Sequence, residues 1–316
     1  MKVTVKVPAT TANLGPGFDC LGMALPVYNT ITIEETVLPH TGVEINIFSD
    51  VDSVETMSIP TDENNIAFKA VELLYNSIGQ TASELKITIH SEIPIARGLG
   101  SSASVIVGAL IAANELLGRP ADEAALLSIA TEVEGHPDNV APAILGGLVL
   151  VSQECDDSII YRKLNWPKNW TLTLCIPDYE LSTDISRSVI PAEIPLKDVE
   201  FNLRRLGMFV YGVEHEDTEL MKCALQDKLH QPYREKFIPG FVEIRDALRY
   251  EENILGCVLS GAGPALLVIA KDDKLDNMKE KISEIWTRMN VKSSIVTLPI
   301  EEQGAYIVQD ERKIFG

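Results

Sequence analysis

The chain has 316 residues, 46% hydrophobic and 23% charged, a balance expected of a soluble globular protein large enough for two ordinary domains or one large one. Its formal net charge of −19 argues against sequence-independent nucleic-acid binding and against docking on anionic membranes, since both need a cationic face. A local basic pocket for a nucleotide remains compatible with that charge. The five cysteines are scattered and never spaced C-x-x-C, and the five histidines show no metal-ligand spacing. This pattern favours reduced thiols in a cytoplasmic protein over disulfides or structural zinc. No apolar run approaches the roughly 18 residues of a membrane span.

In chain order, the alternation of Met1 to Val7 predicts a first strand rather than a signal peptide. The stretch PATTANLGPGFDCLG (residues 8–22) predicts a tightly folded loop, because its prolines and glycines oppose a helix. Within it Asn13 and Asp19 can orient a polar ligand; an Asx-turn and a cap are their alternative roles. Strands are expected over 29–35 and 43–48, a helix from Ile66 to about Ile78, and a strand over 85–90.

The sequence IARGLGSSAS (residues 95–104) then opens a helix that runs to Leu117. Glycines and serines at a helix start form a concave set of N–H groups and hydroxyls, at the positive end of the helix dipole, that suits an anion. No lysine follows the second glycine, so this is not a Walker loop, and a capped turn before an ordinary buried helix is the alternative. Residues 103–113 carry no charge, which predicts a helix buried all round. A helix from Asp122 to about Glu134 follows, with Glu132 on its polar side and solvation as that residue's default. Residues 135–143 predict a turn, and 144–151 an apolar strand.

A boundary is expected near 165–170. Strands are expected at 158–164 and 171–176, helices near 197–213, 216–229 and 239–250, and a strand, glycine turn and strand over 254–270. A charged helix near 273–289 and a strand at 293–298 close the pattern, before a polar tail at 309–316. Strands mixed with helices in both halves predict an α+β fold.

Three stretches in this order, residues 8–19, residues 95–104 and SGAGP (residues 260–264), resemble the GHMP kinase superfamily across almost the whole chain. Within it PATTANLGPGFD, DNVAP (residues 138–142) and the pairs Ser186-Arg187 and Tyr233-Arg234 resemble the homoserine kinases. The Gly-Glu-His pattern of mevalonate and galactose kinases is missing. The resemblance implies a two-domain GHMP kinase fold. Residues 1–166 would form an N-terminal domain related to a ribosomal-protein fold with a left-handed crossover, residues 167–308 a ferredoxin-like C-terminal domain, and 309–316 a tail.

It further implies an ATP- and Mg²⁺-dependent kinase that phosphorylates L-homoserine for threonine biosynthesis. A GHMP kinase for a mevalonate-like, sugar or inositol alcohol, and a non-catalytic ligand-binding relative, are the alternatives. Pro94, Ile95, Ala96, Arg97, Gly98, Leu99, Gly100, Ser101, Ser102, Ala103 and Ser104 would wrap the phosphates, and Asn65 would contact adenine or cap its helix. Ser102 and Glu132 would hold Mg²⁺, with Glu134 as second choice. Asn13, Asp19, Asn139, Thr183, Arg187 and Arg234 would bind homoserine. Asn139 and Arg187 would also serve the chemistry; Asn139 stands where other superfamily members carry an aspartate, so no dedicated carboxylate base is expected. The resemblance allows a homodimer, and the expected partner is otherwise the small-molecule substrate alone.

Overall fold

The computed structural model describes residues 1–36, 42–51, 59–82, 84–271 and 275–308. Strand β1 (Lys2–Asn13) pairs antiparallel with the long β2 (Gly17–Glu35), so the expected loop at 8–22 is instead the closed end of a hairpin. Pro8 is tolerated because it sits at a register shift, beyond the two residues through which β1 meets its other neighbour. The turn itself carries left-handed residues at Asn13, Leu14 and Gly15.

Next come β3 (Val43–Ser49), α1 (Ile66–Ser77) and β4 (Leu85–Ser91), with β3 parallel to β4 and β4 antiparallel to β2. Three helices follow: α2 (Ser101–Leu116), α3 (Glu123–Glu134) and α4 (Pro137–Leu145). As expected from its lack of charge, α2 is buried on nearly all sides, against β1, β2, α1 and α3. Residues expected as a turn form α4 instead. Pro137 occupies its first turn, where a missing N–H costs nothing. Pro142 leaves the carbonyl of Asp138 without its intrahelical donor, and β2 passes so close there that a Cβ on Gly22 would lie 1.7 Å from that oxygen.

Strands β5 (Leu148–Gln153) and β6 (Ile159–Leu164) complete a seven-stranded sheet together with β11 (Tyr306–Ile307), which pairs with β1. The last strand of the expected second segment therefore lies in the first sheet. The expected tail, 309–316, lies outside the described residues.

The second sheet holds β7 (Thr171–Pro177), β8 (Ile254–Leu259), β9 (Leu266–Ala270) and β10 (Ser293–Leu298) in the order β10-β7-β9-β8, all antiparallel. Numbered within that sheet the order is 4-1-3-2, the ferredoxin-like arrangement. Its helices are α5 (Thr183–Ser188), α6 (Leu196–Glu214), α7 (Thr218–Ala224), α8 (Gln231–Arg234), α9 (Phe241–Leu248) and α10 (Asp276–Arg288). The helix expected at 216–229 stops at Ala224, and the Asp227 carboxylate takes the amides of Leu229, His230 and Gln231 to turn the chain into α8. One apolar cluster fills the space between the first sheet and α1–α4; a second joins β2 residues such as Leu21 and Met23 to Leu172, Phe209 and Leu267, and so binds the two sheets together. Among the described residues, no helix is long and apolar enough to cross a membrane.

Candidate active site

A cavity of about 400 Å³ opens where the N-termini of α2 and α4, the β1–β2 turn, α5, α8 and the 261–262 turn converge. Its floor is the glycine-serine loop. Every carbonyl from residue 95 to 100 is already taken: Ile95 by the Arg97 guanidinium, Ala96 by the Leu181 amide, Arg97 by the Ala265 amide, Gly98 by the Ser260 hydroxyl, Leu99 by the Thr10 amide and Gly100 by the Ser104 amide. The amides of residues 98–102, by contrast, make no hydrogen bond among the described residues. The loop thus has its acceptors saturated and its donors exposed at the head of a 16-residue helix, which is the electrostatic requirement for holding a polyanion. Gly100 caps α2 in the left-handed conformation, at φ 65°. A Cβ there would lie 1.9 Å from Thr10 Oγ1, so only glycine permits this approach.

The hydroxyl of Ser102 donates to Glu134 Oε2 at 2.8 Å. Glu132, the first choice for this partnership, is exposed and does not line the cavity. The correction follows from helix geometry: residues two apart on α3 point about 200° apart, so only one of them can face α2. Burial raises the pKa of Glu134, opposed by the His136 charge and the Ser102 hydrogen bond. At the start of α4, His136 Nδ1 lies 2.7 Å from Asp138 Oδ1, and Asp138 is 1% exposed. Burial disfavours the imidazolium, yet the hydrogen bond and charge of Asp138, with Glu134 and Asp19, raise the pKa of His136 overall. Asn139 receives the Thr10 hydroxyl on Oδ1 at 2.7 Å, which leaves its Nδ2 as the donor at this wall.

On the opposite side, Arg187 grips Asp19 through two hydrogen bonds of 2.9 and 2.7 Å. Asp19 is left-handed, with its amide held by Asn13 Oδ1, while Asn13 Nδ2 donates to Gly261 O. Arg234 is buried and donates through Nε to Ser186 O. Burial and the neighbouring Arg187 lower its pKa to about 10, still far above neutrality, so it stays cationic. Thr183 begins α5 and lines the cavity. The other end is apolar, formed by Ile47, Ile59, Ile66, Ile89 and Val105.

The structure therefore brings together Asn13, Asp19, Asn139, Thr183, Arg187 and Arg234, as well as Pro94, Ile95, Ala96, Gly98, Leu99, Gly100, Ser101 and Ser102. Three residues of the expected loop do not line the cavity. Arg97 folds back onto the Ile95 carbonyl, Ala103 is in the core, and Ser104 is buried between Asn29 and the Ser101 carbonyl. Asn65 does line it, but both its polar atoms are engaged, Oδ1 capping the Ala67 amide and Nδ2 donating to Pro60 O. Sequence reasoning left aside Thr10, and it set His136 and Asp138 beside the matched residues without committing either to the site. The local signal for them was closeness to Asn13 and Asn139 and, for Asp138, its place in DNVAP.

These features define a class. The family model "GHMP kinases N terminal domain" matches residues 65–147, and "GHMP kinases C terminal" matches residues 211–288. The mevalonate kinase of Methanococcus jannaschii, 16% identical with a TM-score of 0.69 over 95% of this chain and 98% of that one, shares the fold. Homoserine kinases of Crocosphaera subtropica and Moorella thermoacetica are 38% and 41% identical, each over 96% of this chain and over 97% and 99% of theirs. The crystal structure of homoserine kinase from Cytophaga hutchinsonii superposes with a TM-score of 0.86 at 28% identity, covering 97% of both chains. The chain belongs to the homoserine kinase family of the GHMP kinases, and is accordingly an ATP-dependent kinase.

Proposed function

We propose that the chain transfers the γ-phosphoryl group of ATP to the side-chain hydroxyl of L-homoserine, giving O-phospho-L-homoserine for threonine biosynthesis. The observation that carries the phosphate half of this reading is the glycine-serine loop, with its carbonyls occupied and the amides of residues 98–102 left as donors. The apolar end of the cavity takes the adenine. At the other end Arg187 and Arg234 grip the α-carboxylate, and Asp19 accepts from the α-ammonium.

Ser102 and Glu134 supply a hydroxyl and a carboxylate, hard oxygen donors that fit Mg²⁺ when phosphate oxygens and water complete its shell. Bound there, the ion would neutralise charge on the transferring phosphoryl group. The transition state is loose, so positioning and charge neutralisation dominate over base strength. Asn139 suits that scheme: with Oδ1 occupied by Thr10, its Nδ2 can orient the substrate hydroxyl but cannot take its proton.

Residues 1–166 and 167–308 are the two units of this reading, except that β11 returns to the sheet of the first unit. Its cytoplasmic setting is supported by five free cysteines. Pairing of two copies is supported by the exposed Leu196, Leu203 and Tyr211 along α6, and light scattering tests it. An assay of ADP release over homoserine, threonine, mevalonate, galactose and shikimate tests the activity. Homoserine is expected to be preferred. Preference for mevalonate or a sugar overturns the substrate, and no turnover with any alcohol overturns the enzyme.

A further inference from the structure

His230 does not line the cavity, yet it stands directly behind it and is fully buried. Its Nε2 lies 2.9 Å from the Gly15 carbonyl and its Nδ1 lies 3.1 Å from Arg234 Nη1. A carbonyl can only accept and a guanidinium can only donate, so both contacts together require the neutral Nε2–H tautomer. Burial first, and then the charge of Arg234, hold the imidazole below its ordinary pKa against the pull of Asp227, consistent with that neutral form. The ring also stacks on Phe18 at 5.3 Å, and the guanidinium carbons of Arg234 and Arg187 lie 5.4 and 5.3 Å from the same phenyl centroid.

Gly15 lies in the turn between Asn13 and Asp19, so one imidazole ties that turn to Arg234 with one hydrogen bond from each nitrogen. Arg234 spends Nε on Ser186 O and Nη1 on His230, while its Nη2 makes no hydrogen bond among the described residues. The guanidinium is a rigid planar fork, so fixing Nε and Nη1 also fixes the direction of Nη2.

We propose that His230 is a positioning residue for recognition of the substrate's α-carboxylate: through Nδ1 it aims Arg234, and through Nε2–H it holds the Gly15 turn in register with that arginine. This rests on the reading of the cavity as a homoserine site.

The test compares kcat/KM for L-homoserine with that for L-homoserinol, which keeps the hydroxyl and ammonium but lacks the carboxylate. His230→Asn places an amide oxygen near the Nδ1 position and retains an acceptor for Arg234. His230→Gln places an NH₂ near the Nε2 position, retaining the Gly15 contact but losing that acceptor. The wild type should prefer homoserine; His230→Asn should keep that preference but, having lost the Gly15 contact, should raise KM for homoserine and homoserinol alike, because the turn that carries Asn13 and Asp19 serves both. His230→Gln should lose about tenfold or more of the preference through KM for homoserine, with KM for ATP and turnover of homoserinol little changed. A His230→Gln that keeps the preference, or that slows both substrates alike, overturns the proposal. A wild type with no preference for homoserine overturns the substrate reading and this proposal together, which separates the two failures. Should the variants not fold, ¹⁵N NMR of the wild-type imidazole decides: Nε2 protonated, with Nδ1 shifted by homoserine but not by homoserinol, is the expected result. A proton on Nδ1, or no response to homoserine, overturns it.

Discussion

Ser102 Oγ donates to Glu134 Oε2 across 2.8 Å, so the first turn of α2 meets the last turn of α3 beside the glycine-serine loop. Neither residue packs in the core, and the contact joins two helix ends at the point where the bound nucleotide's charge would accumulate.

Ser102→Ala and Glu134→Gln should each lower kcat/KM by about 10²-fold or more, roughly 3 kcal/mol of transition-state stabilisation, with small changes in melting temperature. Glu132→Gln, on the exposed side of α3, should stay within about twofold of wild type. Steady-state kinetics across a Mg²⁺ titration checks all three. A strong effect at Glu132 with a weak one at Glu134 would reverse the assignment.

Gly100→Ala forces a left-handed alanine and sets its Cβ 1.9 Å from the Thr10 hydroxyl, whose bond to Asn139 must then break. A loss of about 1–3 kcal/mol and a raised KM for ATP are expected, read by urea unfolding and by ATP titration. Gly118→Ala is the control: it is also left-handed, at φ 78°, but has nothing within 4 Å. It should cost only the backbone strain of about 1–2 kcal/mol and leave KM for ATP unchanged.

Asp138→Asn separates electrostatics from base catalysis. His136 has a raised pKa in the fold, so the stability it contributes is full below the ordinary imidazole value of about 6.5 and is lost as pH rises through the raised value. Removing the Asp138 charge should bring the NMR titration of His136 downward and flatten the stability profile in that window. If no carboxylate base is needed, kcat should fall by no more than about tenfold while homoserine still binds. A loss of several orders in kcat would make Asp138 the base.

Arg187→Lys replaces a two-pronged grip on Asp19 with a single point charge. KM for homoserine should rise about tenfold or more, near 1.4 kcal/mol, with KM for ATP unchanged. Equal effects on both substrates would place Arg187 outside the homoserine end of the cavity.

The sequence by itself determined the helices with strong periodicity or no charge, such as α2, and most strands of both sheets, because each is specified by residues within one stretch. The glycine-serine loop was legible for the same reason: its glycines, its serines and the helix they open are contiguous. Only the tertiary structure decided what depends on distant chains meeting. Pro8 and its neighbours became strand because β2 lies beside them, and Tyr306–Ile307 joined the first sheet because β1 had an open edge there. The choice of Glu134 over Glu132 depended on which side of α3 faces α2, and a two-residue step around a helix is not fixed until the helices dock. The exposed donors of the glycine-serine loop likewise arise because Thr10, Leu181, Ser260 and Ala265, remote in sequence, each take one of its carbonyls. Local composition marked where an anion could sit; long-range hydrogen bonds decided that the loop would present amides to it.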